Sequence, residues 1–183
     1  MLSKFVKGKV AVFIDAENLF YSERTLGWRI DFQKLAQRVV GKESKHILRY
    51  YTGIFKREEK QQAFLRKLES FGYFVVAKEV KVIRLSNGAM IAKGNLDVEL
   101  ALDACLLRDH YDTCVLFSGD SDFAYLFDVL KKEGKHLIVI SSRGHISKEL
   151  VNRARYIALP KLRMFIERNP IIKGPDKPAP EVR

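Results

Sequence analysis

The sequence predicts an α/β fold, a three-layer sandwich around a mainly parallel sheet. Apolar runs of strand length alternate along the chain with stretches whose apolar residues recur at helical spacing. The apolar runs are continuous, which is typical of parallel strands buried on both faces. The expected architecture is therefore Rossmann-like in the broad sense.

The first half of the chain contains two predicted strands and two predicted helices. Residues 9–15 and 46–55 are apolar or aromatic runs that predict strands. Between them, Asp31 is placed to cap a helix. The apolar face of that helix recurs at i, i+3, i+4 and i+7: Phe32, Leu35, Ala36 and Val39. A charged helix is predicted over residues 57–71, with Gly72 as its stop.

The second half continues the alternation. Residues 73–85 predict one long strand, and Asn87-Gly88 predicts a type I′ turn that pairs it with AMIAK, residues 89–93. The Leu- and Ala-rich segment 95–108 predicts a mostly buried helix. The remaining elements alternate strand and helix: 113–117, a helix from 121 that stops at Gly134, 136–141, 147–154 and 156–159.

Length and composition predict one domain over residues 1–168, followed by a flexible tail over 169–183 that holds four of the five prolines. No apolar run approaches the ~20 residues of a membrane span, so no membrane partner is expected. Cys105 and Cys114 are interpreted as buried thiols in a reducing compartment, which predicts a cytoplasmic protein.

The charge balance suggests a polyanionic partner. Lys and Arg number 33 against 22 Asp and Glu, a formal net charge of +11. Such an excess favours nucleic acid through phosphate contacts and counterion release. Basic surfaces without any nucleic-acid role are also common, so the charge indicates nucleic acid only weakly by itself.

Aspartates are placed at strand ends, where functional groups collect in a doubly wound sheet. Asp15 ends the first predicted strand, and Asp120 and Asp122 follow the strand over 113–117. Asp97 starts the small-residue face of the next predicted helix, which directs it towards the same edge. Asp103 lies about 120° around that helix by the ~3.6-residue turn, so we expect it to support the other acids without binding a ligand itself, or to be structural.

Each aspartate also has a structural interpretation. In this interpretation Asp120 or Asp97 caps or stabilises a helix N-terminus. Four carboxylates at one edge need a cationic balance, either a network of Lys and Arg or a divalent metal. The four histidines lack zinc spacing, and an all-oxygen site suits Mg²⁺ or Mn²⁺. Such sites serve phosphoryl chemistry.

Three segments together resemble the motifs of the NYN domain, in its LabA-like branch of the PIN-like nuclease superfamily. They are FIDAENL (13–19), KGNLDVELALDA (93–104) and LFSGDSDF (116–123), and the match spans roughly residues 9–160. The resemblance implies a PIN-like sandwich and a metal-dependent ribonuclease acting on RNA. Its catalytic metal ligands are implied to be Asp15, Asp97, Asp120 and Asp122.

The resemblance also implies an RNA-binding set of Asn18, Lys93 and Ser118. Asn18 would orient a ligand or the scissile phosphate, Ser118 would support the loop carrying Asp120, and Lys93 would meet the RNA backbone. A homodimer is a possible assembly.

Two other functions stay open. The first is an RNA-binding module with little or no catalysis, in which the acids hold a structural ion. The second is a phosphatase of the haloacid dehalogenase type, because SGDSD is similar to that group's acidic motif. The phosphatase is less favoured, since its first strand should end in Asp-x-Asp-x-Thr or Val, whereas this chain has Glu17 and Leu19.

Overall fold

The computed structural model describes residues 4–39, 46–55, 58–84 and 90–168, with the backbone alone described at 38–39, 82–84 and 90–93. Within these residues a six-stranded, all-parallel sheet is flanked by helices. Its strands are Val10–Asp15 (β1), Ile47–Ile54 (β2), Phe74–Glu79 (β3), Thr113–Phe117 (β6), His136–Ser141 (β7) and Arg155–Ala158 (β8). Lys81–Arg84 (β4) and Met90–Lys93 (β5) form a separate antiparallel hairpin.

The helices fill the connections between the strands. They are Ala16–Leu26 (α1), Phe32–Lys34 (α2), Glu59–Ser70 (α3), Asp97–Leu106 (α4), Ala124–Lys132 (α5), Lys148–Val151 (α6) and Arg163–Ile166 (α7). A π-helical stretch continues α2 over Leu35–Val39, and 3₁₀ turns occupy Arg108–His110, Ser121–Phe123 and Leu159–Leu162. The predicted caps are confirmed: the Asp31 side chain accepts from the Lys34 N–H, and Gly72 ends α3 at φ 92°.

The strand order is β3-β2-β1-β6-β7-β8. β1 lies between β2 and β6, with Asp15 opposite Tyr51 on one side and Ile14 opposite Phe117 on the other. The chain therefore reverses its direction of winding between β1 and β6. In open α/β sheets, a crevice outside the carboxyl ends of the strands opens at this position.

Two apolar cores confirm the three-layer prediction. Alternate residues of β1 face opposite sides of the sheet, as the two-residue period of a strand requires. Val12 and Ile14 join a core with α1, α2, α3 and α7, whereas Ala11 and Phe13 join a second core with α4, α5 and α6. All four are at most 1% exposed. Burial on both faces explains the continuous apolar run in the sequence.

Two predictions need correction between residues 16 and 93. No helix was predicted directly after the first strand, yet α1 begins there with Asp15 as its N-cap. The single strand expected over 73–85 is instead two strands, β3 and β4, separated at Val80. The Val80 side chain lies where side chains at Gly53 and Gly94 would be, so this corner has room only for glycine. The β4–β5 pairing is confirmed, and the predicted Asn87-Gly88 turn lies outside the described residues.

The helix predicted over 95–108 is present but less buried than expected. Leu100 and Ala104 are buried, while Val98, Leu102 and Leu106 are 68%, 56% and 71% exposed. One face of α4 therefore packs on the sheet and the other lies at the surface. In the described part of the chain, no helix is long and apolar enough to cross a membrane.

Candidate metal centre

Three of the predicted aspartates come together beyond the carboxyl ends of β1 and β6. Carboxylate oxygens of Asp97, Asp120 and Asp122 all lie within 4.8 Å of one another. Asp97 is the first residue of α4, and the other two flank the start of the 3₁₀ turn that leads into α5. Residues far apart in sequence thus meet at the topological switch point of the sheet.

The turn after β6 holds its two acids by local hydrogen bonding. Asp120 is the N-cap of the 3₁₀ turn, and its Oδ1 accepts from the backbone N–H of Asp122 at 3.0 Å. The capping interpretation of Asp120 is therefore correct, and it does not exclude a ligand role. Capping occupies Oδ1, and a carboxylate has several lone pairs on its two oxygens with which to accept further contacts.

Asp97 is oriented by Asn95, a residue that our sequence reasoning did not single out. Asn95 Nδ2 donates to Asp97 Oδ2 at 2.6 Å, and the Asp97 backbone N–H donates to Asn95 Oδ1 at 2.7 Å. The spacing Asn-x-Asp immediately before a predicted helix is the sequence signal that could have indicated these two hydrogen bonds. Asn side chains commonly accept a hydrogen bond from the backbone N–H of the residue two positions later.

Asp15 lies beside this group and is joined to it through Ser118. Asp15 Oδ1 accepts from the backbone N–H groups of Glu17 and Asn18, both at 3.1 Å, as the N-cap of α1. Its Oδ2 accepts from Ser118 Oγ at 2.9 Å, and Ser118 Oγ in turn accepts from the Asp120 N–H at 3.2 Å. Asp15 is not itself a member of the three-carboxylate group.

Burial and like charge act on the acids of this site. Burial raises the pKa of Asp15 to about 6, partly offset by its hydrogen bonds and reinforced by the nearby Asp97 charge. The pKa of Asp97 is raised as well, first by burial and then by Asp120, Asp122 and Glu17. Glu17 is thus a fifth acid near the site that we did not predict.

The donor set fits a divalent cation. Among the side chains that the structure describes, no Lys, Arg or His forms an ion pair with Asp15, Asp97, Asp120 or Asp122. Within the described side chains, therefore, no network of basic groups balances these charges. Clustered carboxylates with only oxygen donors suit Mg²⁺ or Mn²⁺.

The loop after β6 is held from two sides. Asn18 Oδ1 accepts from the Gly119 N–H at 3.0 Å, and the Ser147 N–H donates to the Gly119 carbonyl at 2.9 Å. A Cβ at Gly119 would overlap the His145 carbonyl oxygen, so only glycine fits there. This packing, together with Asn18, fixes where Asp120 and Asp122 point.

The other predicted site residues have different positions. Ser118 is 1% exposed, so its hydroxyl supports the loop from inside and offers no surface for RNA. Asp103 bonds Arg49 at 3.0 Å and accepts from the Tyr51 hydroxyl at 2.8 Å, which makes it a structural acid between α4 and β2. Lys93 is the last residue of β5, where the structure describes the backbone alone.

The carboxylates border a groove of about 1210 Å³. Asp15, Glu17, Asp97 and Asp120 contribute to its wall. The remaining wall includes aromatic side chains and arginines: Phe20, Tyr21, Phe55, Arg29 and Arg168. The groove is therefore acidic in one part, with aromatic and basic side chains elsewhere.

Comparisons with known proteins agree with this architecture. A family model described as the NYN domain matches residues 9–160. The low amplitude and bright protein LabA of Synechococcus elongatus is 34% identical over an alignment of 180 residues, which covers 93% of this chain and 96% of LabA. A crystal structure of a protein of unknown function from Vibrio parahaemolyticus has a TM-score of 0.70 at 25% identity, covering 87% of this chain and 96% of that one.

Proposed function

The chain belongs to the NYN-domain family, and from that premise we propose that it is a metal-dependent ribonuclease that hydrolyses RNA phosphodiester bonds. The observation that carries the proposal is the convergence of Asp97, Asp120 and Asp122 within 4.8 Å, with no described cationic side chain paired to them. Membership of this nuclease-type family also leaves the phosphatase alternative without support.

The proposed cofactor is Mg²⁺ or Mn²⁺. Asp97, Asp120 and Asp122 would hold the ion, and Asp15 would complete the acidic centre from its position behind Ser118. When bound, such an ion lowers the pKa of a coordinated water and neutralises charge on the phosphate. The protein's own contribution is to keep the carboxylates fixed, through Asn95 on one side and the capped turn on the other.

The substrate proposal follows from charge. The chain carries a formal net charge of +11, whereas the described residues that line the groove include six acids and two arginines, so the excess of positive charge lies outside the groove. A basic surface attracts a polyphosphate chain, and the acidic centre requires a metal before it can accept a phosphate. Lys93, at the end of β5, is proposed to contact the RNA backbone.

The test is cleavage of a labelled single-stranded RNA and a labelled structured RNA, with Mn²⁺, with Mg²⁺ and with EDTA. Wild type should cleave only with metal. Asp120→Asn should lose activity by at least about 100-fold, because even outer-shell partners of metal sites cost about 10- to 100-fold. Asp109→Asn is the matched control, because Asp109 is an exposed acid away from the groove.

The alternative is an RNA-binding module with little or no catalysis, which the basic surface also favours. It predicts RNA binding that is equal with metal and with EDTA, and equal in wild type and Asp120→Asn, with no cleavage in any condition. That pattern would contradict the ribonuclease proposal.

Three further expectations accompany the proposed function. We propose a cytoplasmic location and a homodimeric assembly, and the predicted tail over residues 169–183 lies outside the described residues. Light scattering coupled to size-exclusion chromatography distinguishes the monomer of 21.1 kDa from a dimer. Limited proteolysis tests the tail, since cleavage confined to residues after 168 is expected.

A further inference from the structure

Large aromatic side chains are exposed along the groove that contains the acidic centre. Phe20 is 41% exposed, Tyr21 46% and Phe55 49%, and all three line this groove. Single exposed apolar residues are ordinary on protein surfaces. Several exposed rings that share one groove with a carboxylate cluster instead indicate that the groove accommodates a ligand with flat apolar faces.

Phe20 is flanked by two arginines. The guanidinium carbon of Arg29 lies 5.4 Å from the Phe20 ring centroid, and that of Arg24 lies 5.8 Å away. Within these distances a guanidinium is attracted to the face of the ring. The same groups can bond phosphate or stack on a base, so the ring and the charges together suit a nucleotide.

Arg29 is held in position by a buried acid. Glu23 is 8% exposed, and its Oε2 accepts from Arg29 Nη1 at 3.0 Å while its Oε1 accepts from the Ile30 N–H at 2.7 Å. The arginine is therefore fixed beside Phe20 before any ligand arrives. A pre-organised side chain loses less entropy on binding than a mobile one.

The position of Phe20 relative to the acidic centre follows from helix α1. Asp15 caps α1, and Phe20 is five residues further along, a rise of about 7.5 Å at ~1.5 Å per residue. This rise is measured between backbone positions along the helix axis, and the Phe20 side chain lines the same groove as Asp15, Asp97 and Asp120. An RNA segment whose phosphate binds at the acidic centre would therefore extend along the groove wall that contains Phe20.

We propose that Phe20, flanked by Arg29, is a stacking subsite for an unpaired nucleobase of the RNA. The subsite rests on the proposed function, since it uses the same groove. A base within a duplex has both faces covered by its neighbours, so the subsite selects a single-stranded segment next to the scissile phosphate.

The test measures binding separately from cleavage. Fluorescence anisotropy of a labelled ten-nucleotide single-stranded RNA is recorded for Phe20→Ala, Phe20→Leu and Phe20→Trp with Ca²⁺, an oxygen-binding cation that replaces the proposed catalytic ion at the acidic centre. Loss of one stacked base weakens binding by about 5- to 150-fold, which is the effect expected for Ala and Leu. Trp should retain the affinity, because it keeps an aromatic face. A fully abasic oligonucleotide should bind equally to all variants.

Phe74→Ala is the matched control. Phe74 is 61% exposed and has the Arg49 guanidinium carbon 4.4 Å from its ring centroid, but it is not part of the groove wall. Its replacement therefore removes an exposed phenylalanine beside an arginine without touching the subsite. Circular dichroism checks that every variant is folded, which is expected because both rings are exposed.

Several results would overturn the subsite: equal binding by Phe20→Ala and Phe74→Ala, retention of affinity by Phe20→Leu, the same loss on the abasic oligonucleotide, or no RNA binding by wild type. The ribonuclease proposal fails separately. Binding that depends on Phe20, without metal-dependent cleavage, would refute catalysis and support the subsite. Metal-dependent cleavage, with RNA binding that does not depend on Phe20, would support catalysis and refute the subsite.

Discussion

Replacing Asp15 with asparagine should stabilise the metal-free protein at neutral pH while it removes a carboxylate of the proposed active centre. Asparagine is as good an N-cap as aspartate, so its Oδ1 can still accept from the N–H groups of Glu17 and Asn18. Its Nδ2 can donate to Ser118 Oγ, where Asp15 now accepts. The substitution therefore keeps the two capping bonds, reverses the direction of the bond with Ser118 and removes the charge.

The size of the effect follows from the pKa of Asp15, which burial raises from 3.8 to about 6. Between pH 4 and pH 6 the folded protein keeps this proton and the unfolded chain has lost it, so the free energy of unfolding falls as pH rises. Relative to a neutral side chain, the carboxylate costs about 1 kcal/mol at pH 4.5 and about 3 kcal/mol at pH 8. Asp15→Asn should recover these amounts.

The measurement is urea unfolding of wild type and Asp15→Asn in EDTA at pH 4.5 and pH 8, followed by circular dichroism. The difference in unfolding free energy should grow between the two pH values, in favour of the variant. The comparison uses this difference because other groups titrate in both proteins. Activity with Mn²⁺ should fall in the variant although its stability rises.

Asp31→Asn is the matched control. Asp31 caps α2 as Asp15 caps α1, but it also has Lys34 Nζ at 3.8 Å. Its replacement removes a weak ion pair and should leave stability unchanged or slightly lower at both pH values. An Asp15→Asn variant that is no more stable than wild type at pH 8, or a gain as large at pH 4.5 as at pH 8, would refute the reasoning.

Three further predictions concern the same loop. Gly119→Ala should cost about 2 kcal/mol or more, because the added methyl group meets the His145 carbonyl oxygen, and urea unfolding measures the loss; unchanged stability would contradict the tight packing. Ser118→Ala should cost about 1.5–3 kcal/mol at pH 8 by removing a donor to the Asp15 carboxylate, and less at pH 4.5, where Asp15 is protonated; equal costs at both pH values would count against this link. Mn²⁺ at about 100 times its Kd should stabilise wild type by about 2.7 kcal/mol in thermal unfolding and leave Asp120→Asn unaffected; equal stabilisation of both would exclude Asp120 as a ligand.

Much of the fold could be predicted from the sequence because strand burial leaves a direct pattern. Each strand covered on both faces must be apolar throughout, and β1, β6 and β7 are continuous apolar runs. A parallel sheet then places all strand ends at one edge. Those two facts place Asp15, Asp120 and Asp122 at the same edge, and the pairing of β1 with β6, seen in the structure, makes them neighbours.

Helix α1 and the break at Val80 could not be predicted in the same way. The polar segment after Asp15 forms a helix because Asp15, at the end of β1, caps it and the sheet covers one side of it. The buried residues of this helix are Leu19, Ser22 and Glu23. They include a single apolar residue, which leaves no clear apolar period in the sequence. Val80 ends β3 because it packs where Gly53 and Gly94 leave room, a contact between distant residues. Tertiary packing decided both.

The candidate site divides in the same manner. Strand-end position was enough to single out Asp15, Asp120 and Asp122, because carboxylates beside buried strands are costly without a partner. Asp97 was singled out by its place at the start of the small-residue face of a predicted helix. Only the tertiary structure decided that three of them approach within 4.8 Å while Asp15 is joined through Ser118. Topology brings backbones to one edge, whereas capping bonds and loop packing set the direction of each side chain, and those contacts form only when the chain has folded.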